Sequence, residues 1–151
     1  MKLQDALKTE NFRDEQHKAS LNVIYTAYWM RSHLNTVFKE HNLTEEQFNV
    51  LRILKGKYPE AMCVRDIASR MLEKNSNVPR IIDRLVIKDL VQRATSREDK
   101  RETLITLTPK GISHLAEAST AVEKKSKEII DLTNEEATQL HLLLEKLRKV
   151  D

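Results

Sequence analysis

Apolar residues recur at helical spacing over most of this chain. Between Asp14 and Glu40 there is neither Pro nor Gly. Leu21, Ile24, Tyr25, Tyr28 and Trp29 repeat every three or four positions, followed by Leu34, Val37 and Phe38, which predicts one long helix. Thr44 and Gln47 then form a capping box at the head of a second helix, whose buried side is Phe48, Leu51, Ile53 and Leu54. Gly56, close to Pro59, is expected to end it. A short helix over Arg65–Met71 turns Ile67, Ala68 and Met71 inward. Lys74-Asn75-Ser76-Asn77 breaks the pattern, with Asn75 or Ser76 able to cap the next helix. That helix carries Val78, Ile81, Ile82 and Leu85 at i, i+3, i+4, i+7, and Pro79 falls in its first turn, where a missing N–H costs nothing.

The period then shortens. Leu90–Ala94 and Thr103–Leu107 read as two strands joined by the charged tip Ser96-Arg97-Glu98-Asp99-Lys100-Arg101-Glu102. Thr108-Pro109 opens a further helix to about Ile130, by a capping hydroxyl followed by proline at the first helical position. A second capping box, Thr133 with Glu136, starts a last helix carrying Ala137, Leu140, Leu143, Leu144 and Leu147. The predicted order is four helices, a hairpin and two helices, without internal repeats or a linker. The expected fold class is mostly α, with a small β-hairpin as a wing beside a helix-turn-helix.

Composition narrows the function classes. The 151 residues suffice for one domain with a real core, and 2 Gly and 3 Pro leave no glycine-rich phosphate loop. No apolar run approaches the roughly 18 residues that span a bilayer, and the polar opening Met1–Asp5 does not resemble a secretory signal. The lone Cys63 cannot form an internal disulfide, which fits a reducing cytoplasm. His17, His33, His41, His114 and His141 are scattered, without metal-ligand spacing, and no nucleophile–base signature appears. Neither an enzyme nor a cofactor is expected.

Net charge is +3, and its placement matters more than its size. From Val64 to Glu102 there are 10 Lys and Arg against 7 Asp and Glu, while the rest of the chain holds 16 of each. On the fourth helix Arg80, Arg84 and Lys88 stand at i, i+4, i+8, roughly opposite the apolar stripe, with Ser76 and Asn77 at its N-terminal end. A basic stripe by itself is most often a solvated face. Here a short helix precedes it and a charged hairpin follows. An N-terminal helix end in the major groove presents short polar side chains to base edges, and arginine can pair bidentately with guanine.

Several segments in this order resemble the MarR family: Asn42-Leu43-Thr44-Glu45-Glu46-Gln47-Phe48-Asn49-Val50-Leu51, Asp66-Ile67-Ala68, Lys74-Asn75-Ser76-Asn77-Val78 and Ile82-Asp83-Arg84-Leu85. The strongest is Asp99-Lys100-Arg101-Glu102-Thr103-Leu104-Ile105-Thr106-Leu107-Thr108-Pro109-Lys110-Gly111, similar to the wing pattern of that family. The resemblance runs from about Leu21 to Leu147. It implies one MarR-like domain over residues 1–151, with a winged helix-turn-helix lobe at 43–108 and dimerisation helices at 12–41 and 109–151. It also implies a transcription regulator, usually a repressor, that binds double-stranded operator DNA as a homodimer and is often released by a small ligand or by oxidation. Ser76, Asn77 and Arg80 match positions that approach bases. Asp99 and Arg101 match a wing pair in which the aspartate positions the arginine, and Arg97 and Lys100 match wing-tip contacts. Arg84 and Lys88 are each as open to a general phosphate contact or an internal salt bridge as to specific base reading.

The first helix and the last two have apolar stripes with no role in the winged lobe, so a two-fold partner is expected to cover them. Tyr25, Tyr28, Trp29, Arg31 and His33 are of the right types for a small phenolic or aromatic-acid effector, and ordinary interface packing explains the aromatics equally well. Peroxide-sensing relatives in the family carry their reactive cysteine in the first helix. Cys63 lies elsewhere and reads as a small buried hydrophobe. The rival to a DNA-binding regulator is a winged-helix protein-interaction module without specific DNA binding. Such modules often lose the basic stripe and the wing charges, and both persist here.

Overall fold

Each long helix begins where a side chain satisfies its orphan N–H groups. Asp14 accepts from the His17 backbone at the head of α2 (Glu15–Glu40), and the Thr44–Gln47 capping box opens α3 (Glu45–Lys57). Thr108 caps α6 (Pro109–Ile129), and the Thr133–Glu136 box opens α7 (Asn134–Leu147). Between α3 and α6 lie β1 (Met62–Cys63), α4 (Val64–Arg70), α5 (Val78–Ile87), β2 (Val91–Thr95) and β3 (Thr103–Leu107). A short α1 (Leu3–Leu7) precedes them all. The structure is a computed structural model that describes residues 1–98 and 101–148.

The chain is mostly helical with a small antiparallel sheet, a winged helix-turn-helix. The strands run in the order β1-β3-β2, with Met62 opposite Ile105 and Val91 opposite Leu107. The core lies under this sheet. Val50, Leu51 and Leu54 of α3, Ile67 of α4, Ile82 and Leu85 of α5, and Ile105 of β3 are almost completely buried together. Phe38 of α2 meets Phe48 with ring centroids 5.1 Å apart, and Leu115 and Ala118 of α6 close the far side.

Sequence and structure differ at four points. Gly56 does not end α3: its φ is not positive, a Cβ there would meet open space, and the helix continues to Lys57. The stop comes at Tyr58, just before Pro59, where the proline ring disfavours helical backbone in the residue ahead of it. The cap of α5 is Asn77, in place of Asn75 or Ser76. Strand β1 and helix α1 were not anticipated.

Gly111 fixes how α6 meets the lobe. A Cβ there would stand 1.9 Å from the Leu90 carbonyl oxygen, so only glycine allows this approach. Thr108 Oγ1 donates to the Asp89 carbonyl at 2.7 Å while accepting from the Gly111 N–H at 2.9 Å. Lys110 Nζ donates to the Lys88 carbonyl at 2.9 Å. The Thr-Pro-Lys-Gly run thus welds α6 to the turn that ends α5.

Candidate nucleic-acid interface

Helix α5 buries Val78, Ile82 and Leu85 and leaves Arg80, Asp83, Arg84 and Ile87 facing outward. Its N-terminal end is built by Asn77, whose Oδ1 accepts the Arg80 N–H at 3.2 Å. Capping therefore occupies the oxygen of Asn77, and its amide N–H groups remain the atoms able to donate outward. Ser76 lies one residue earlier, with its Oγ buried and without a hydrogen-bond partner among the described residues. Ser76, Asn77, Arg80 and Arg84 line one shallow groove with Thr44, Glu46, Gln47 and Ile81. The positive end of a helix dipole opens into that groove.

Neither Arg80 nor Arg84 has an ion-pair partner among the described residues, and both are exposed. Between them on the outward face, Asp83 pairs with Arg93 of β2. This pair joins the root of the hairpin to the middle of α5 and neutralises the one carboxylate on the stripe. Arg93 was absent from the sequence-based candidates, because nothing in the spacing of two residues ten positions apart announces a helix-to-strand contact.

Lys88, the third member of the basic stripe, turns away from it. Its Nζ donates to the Asn42 carbonyl and, at 2.9 Å, to Gln47 Oε1. The salt bridge open to Lys88 is not formed among the described residues; neutral acceptors hold its ammonium instead. Partial burial, reinforced by the Arg84 charge, holds this ammonium below its ordinary pKa of 10.5.

At the hairpin, the backbone N–H of Ser96 donates to the Glu102 carbonyl at 3.0 Å, and Arg97 and Arg101 lie exposed on either side of the tip. Asp99 and Lys100 lie outside the described residues.

The effector candidates are divided. Tyr25 and Trp29 line a hollow with Met1, Leu3, Asn22 and Thr26, beneath α1. Trp29 stacks edge-on with His33, ring centroids 4.6 Å apart. Tyr28 is 69% exposed, and Arg31 reaches toward α3 and the α4–α5 turn. The structure therefore gathers Tyr25, Trp29 and His33 but does not bring Arg31 or Tyr28 to them. Cys63 is buried, as expected of a small hydrophobe, at the start of α4. No helix among the described residues is long and apolar enough to cross a membrane.

Comparison with known proteins adds four observations. The MarR family model matches residues 43–103. The HTH-type transcriptional regulator MgrA of Staphylococcus aureus is 33% identical over 117 residues, covering 78% of each chain. The homoprotocatechuate degradative operon repressor of Escherichia coli is 32% identical over 116 residues, covering 76% of this chain and 77% of its own. Among solved structures, a MarR variant of Escherichia coli complexed with operator DNA superposes with a TM-score of 0.74 at 22% identity, over 92% of this chain and 99% of that one.

Proposed function

The chain belongs to the MarR family of DNA-binding transcriptional regulators, and from that premise we propose that it acts as a homodimeric repressor on a near-palindromic operator. In this reading residues 43–108 form the DNA-binding lobe, and residues 12–41 and 109–151 form the dimerisation helices. One observation carries it: α7 has no buried residue, and Leu140, Leu142, Leu143 and Leu147 are 45%, 58%, 63% and 53% exposed. Ile24 and Tyr28 of α2 are similarly uncovered. An apolar stem of that extent calls for a partner, and a second copy about a two-fold axis buries the same surface twice. The axis then sets two copies of α5 for successive major grooves, roughly 10 base pairs apart.

Within each half-site Asn77 and Arg80 take the base edges and Arg84 a phosphate, while the buried Ser76 hydroxyl does not reach them. The wing lays Arg97 and Arg101 along the neighbouring minor groove or its phosphates. Occupancy of a promoter by such a dimer in the cytoplasm blocks transcription, in keeping with the relative named as a degradative-operon repressor. Release by a small phenol or aromatic acid belongs to the same reading. The Tyr25–Trp29 hollow offers ring faces beside the polar groups of Asn22 and Thr26.

Sedimentation and footprinting test the proposal together. The full chain should sediment as a dimer and protect an inverted repeat, and a chain truncated after Asp131 should lose both properties. A truncated monomer that still binds specifically overturns the homodimer reading. Trp29 is the single tryptophan, so its fluorescence reports whether a panel of phenols and benzoates enters the hollow. No response in fluorescence or DNA affinity removes the effector.

A further inference from the structure

The recognition helix α5 is tied at both ends to α2 or to the residues that directly follow it. Ahead of α5, Arg31 of α2 spans two elements. Its Nε lies 3.4 Å from Glu45 Oε1 at the head of α3, and its Nη2 lies 3.6 Å from Glu73 Oε2 in the turn between α4 and α5. The same turn is anchored from α3, where Asn49 Oδ1 accepts the Leu72 N–H at 2.9 Å. Behind α5, Lys88 donates to the carbonyl of Asn42, just past the end of α2, and to Gln47. His114 of α6 engages the adjacent His41 carbonyl at 2.7 Å. From Arg31 to the end of α2 at Glu40 the helical rise is about 13.5 Å, close to the length of the 10-residue α5, about 15 Å.

None of these ties is required to form α5, which has its own cap and its own buried face. The Arg31 pairs are half exposed, and ion pairs in water add little to stability. What they do fix is direction, because a guanidinium held between two carboxylates limits how the α4–α5 turn can swing relative to α2. In a dimer whose stem includes α2, that angle decides where the two recognition helices stand.

We propose that Arg31 and Lys88 are positioning residues that set the separation and pitch of the paired recognition helices, and hence the half-site spacing the dimer accepts. This rests on the homodimer reading above. The test uses full-length protein and duplexes carrying two half-sites at the optimal spacing or with one or two base pairs inserted or removed. A duplex with one half-site serves as reference. Wild type should show a sharp optimum. In Arg31→Gln, the preference for the optimal over the shifted duplex should fall about fivefold, since two copies of the tie are lost per dimer. Single half-site affinity should stay within about twofold. Arg31→Gln combined with Glu73→Gln should be no worse than either alone if the two act through each other. Lys88→Met should broaden the optimum in the same way. Arg31→Gln removes only a half-exposed group, so the test stands even if the Lys88 variant folds poorly.

Folded, dimeric variants with an unchanged spacing preference overturn the inference and leave the function untouched. So does an equal loss on every duplex, which would make Arg31 a simple affinity contact. A wild-type protein without any spacing optimum overturns the two-half-site reading, and this inference with it.

Discussion

Adding one methyl group at Gly111 should loosen the joint between α6 and the winged lobe. The new Cβ would sit 1.9 Å from the Leu90 oxygen and 2.9 Å from its carbonyl carbon, both backbone atoms. Ordinary contact begins near 3.4 Å, so α6 or the Leu90 turn must retreat by about 1.5 Å, and overpacking of this kind costs about 1–3 kcal/mol. Retreat also strains the Thr108 N–H to Leu90 bond at 3.1 Å and the Thr108 hydroxyl to Asp89 bond at 2.7 Å. Each is worth about 1 kcal/mol. Alanine returns about 1 kcal/mol of helix propensity. The net loss for Gly111→Ala is therefore about 2–4 kcal/mol, a large part of the ~5–15 kcal/mol that holds a typical domain. Urea denaturation at one fixed protein concentration measures it, because a dimer's apparent stability varies with concentration. Tm should fall by roughly 5–15 °C. A loss below about 0.5 kcal/mol with an unchanged m-value would mean that α6 slides freely on the Leu90 turn. The reasoning from close approach would then be wrong.

Further outcomes follow from the interface. Arg80→Ala should relax sequence preference and cost roughly 1–3 kcal/mol of binding, whereas Arg101→Ala should weaken binding across most sequences; competition footprints with operator variants separate the two. Operator affinity should fall steeply as salt rises, because phosphate contacts release counterions, and a flat titration would favour a protein-interaction module. Lys88 makes stability depend on pH in a defined direction. Its folded pKa lies below 10.5, so between the two values the unfolded chain binds more protons. Stability from this group should therefore rise with pH through that window, and the difference in unfolding free energy between wild type and Lys88→Met measures it.

Much of the fold was readable because local rules and the tertiary fold agree. Both capping boxes, the Thr108-Pro109 start and the 3–4 spacing of α2 and α5 each depend on neighbours within one turn. Strand β1 could not be read this way. Two residues carry no period, and Met62 and Cys63 are a strand only because β3 lies opposite them at Ile105 and Leu104. Gly56 misled for a related reason. Glycine ends helices when it takes left-handed backbone, and here it keeps ordinary helical geometry in open space.

The candidate site was readable in outline, and its fate turned on angles that spacing alone does not resolve. At 3.6 residues per turn, positions i and i+4 diverge by about 40° and positions i and i+8 by about 80°. Arg84 therefore stays on the face of Arg80, while Lys88 is carried round toward the α2–α3 turn, where the Asn42 carbonyl and Gln47 receive it. Counting charges along the sequence has the same weakness, since a surplus says nothing about which cations are already engaged. Arg93 is engaged by Asp83, Lys74 by the Ser69 carbonyl and Lys88 by Asn42. What remains outward on α5 is the pair Arg80 and Arg84, with the acid between them neutralised from the hairpin. On the proposed reading of operator DNA, specificity has to come from few groups held in direction, and the ties at both ends of α5 would supply that without adding charge to the face itself.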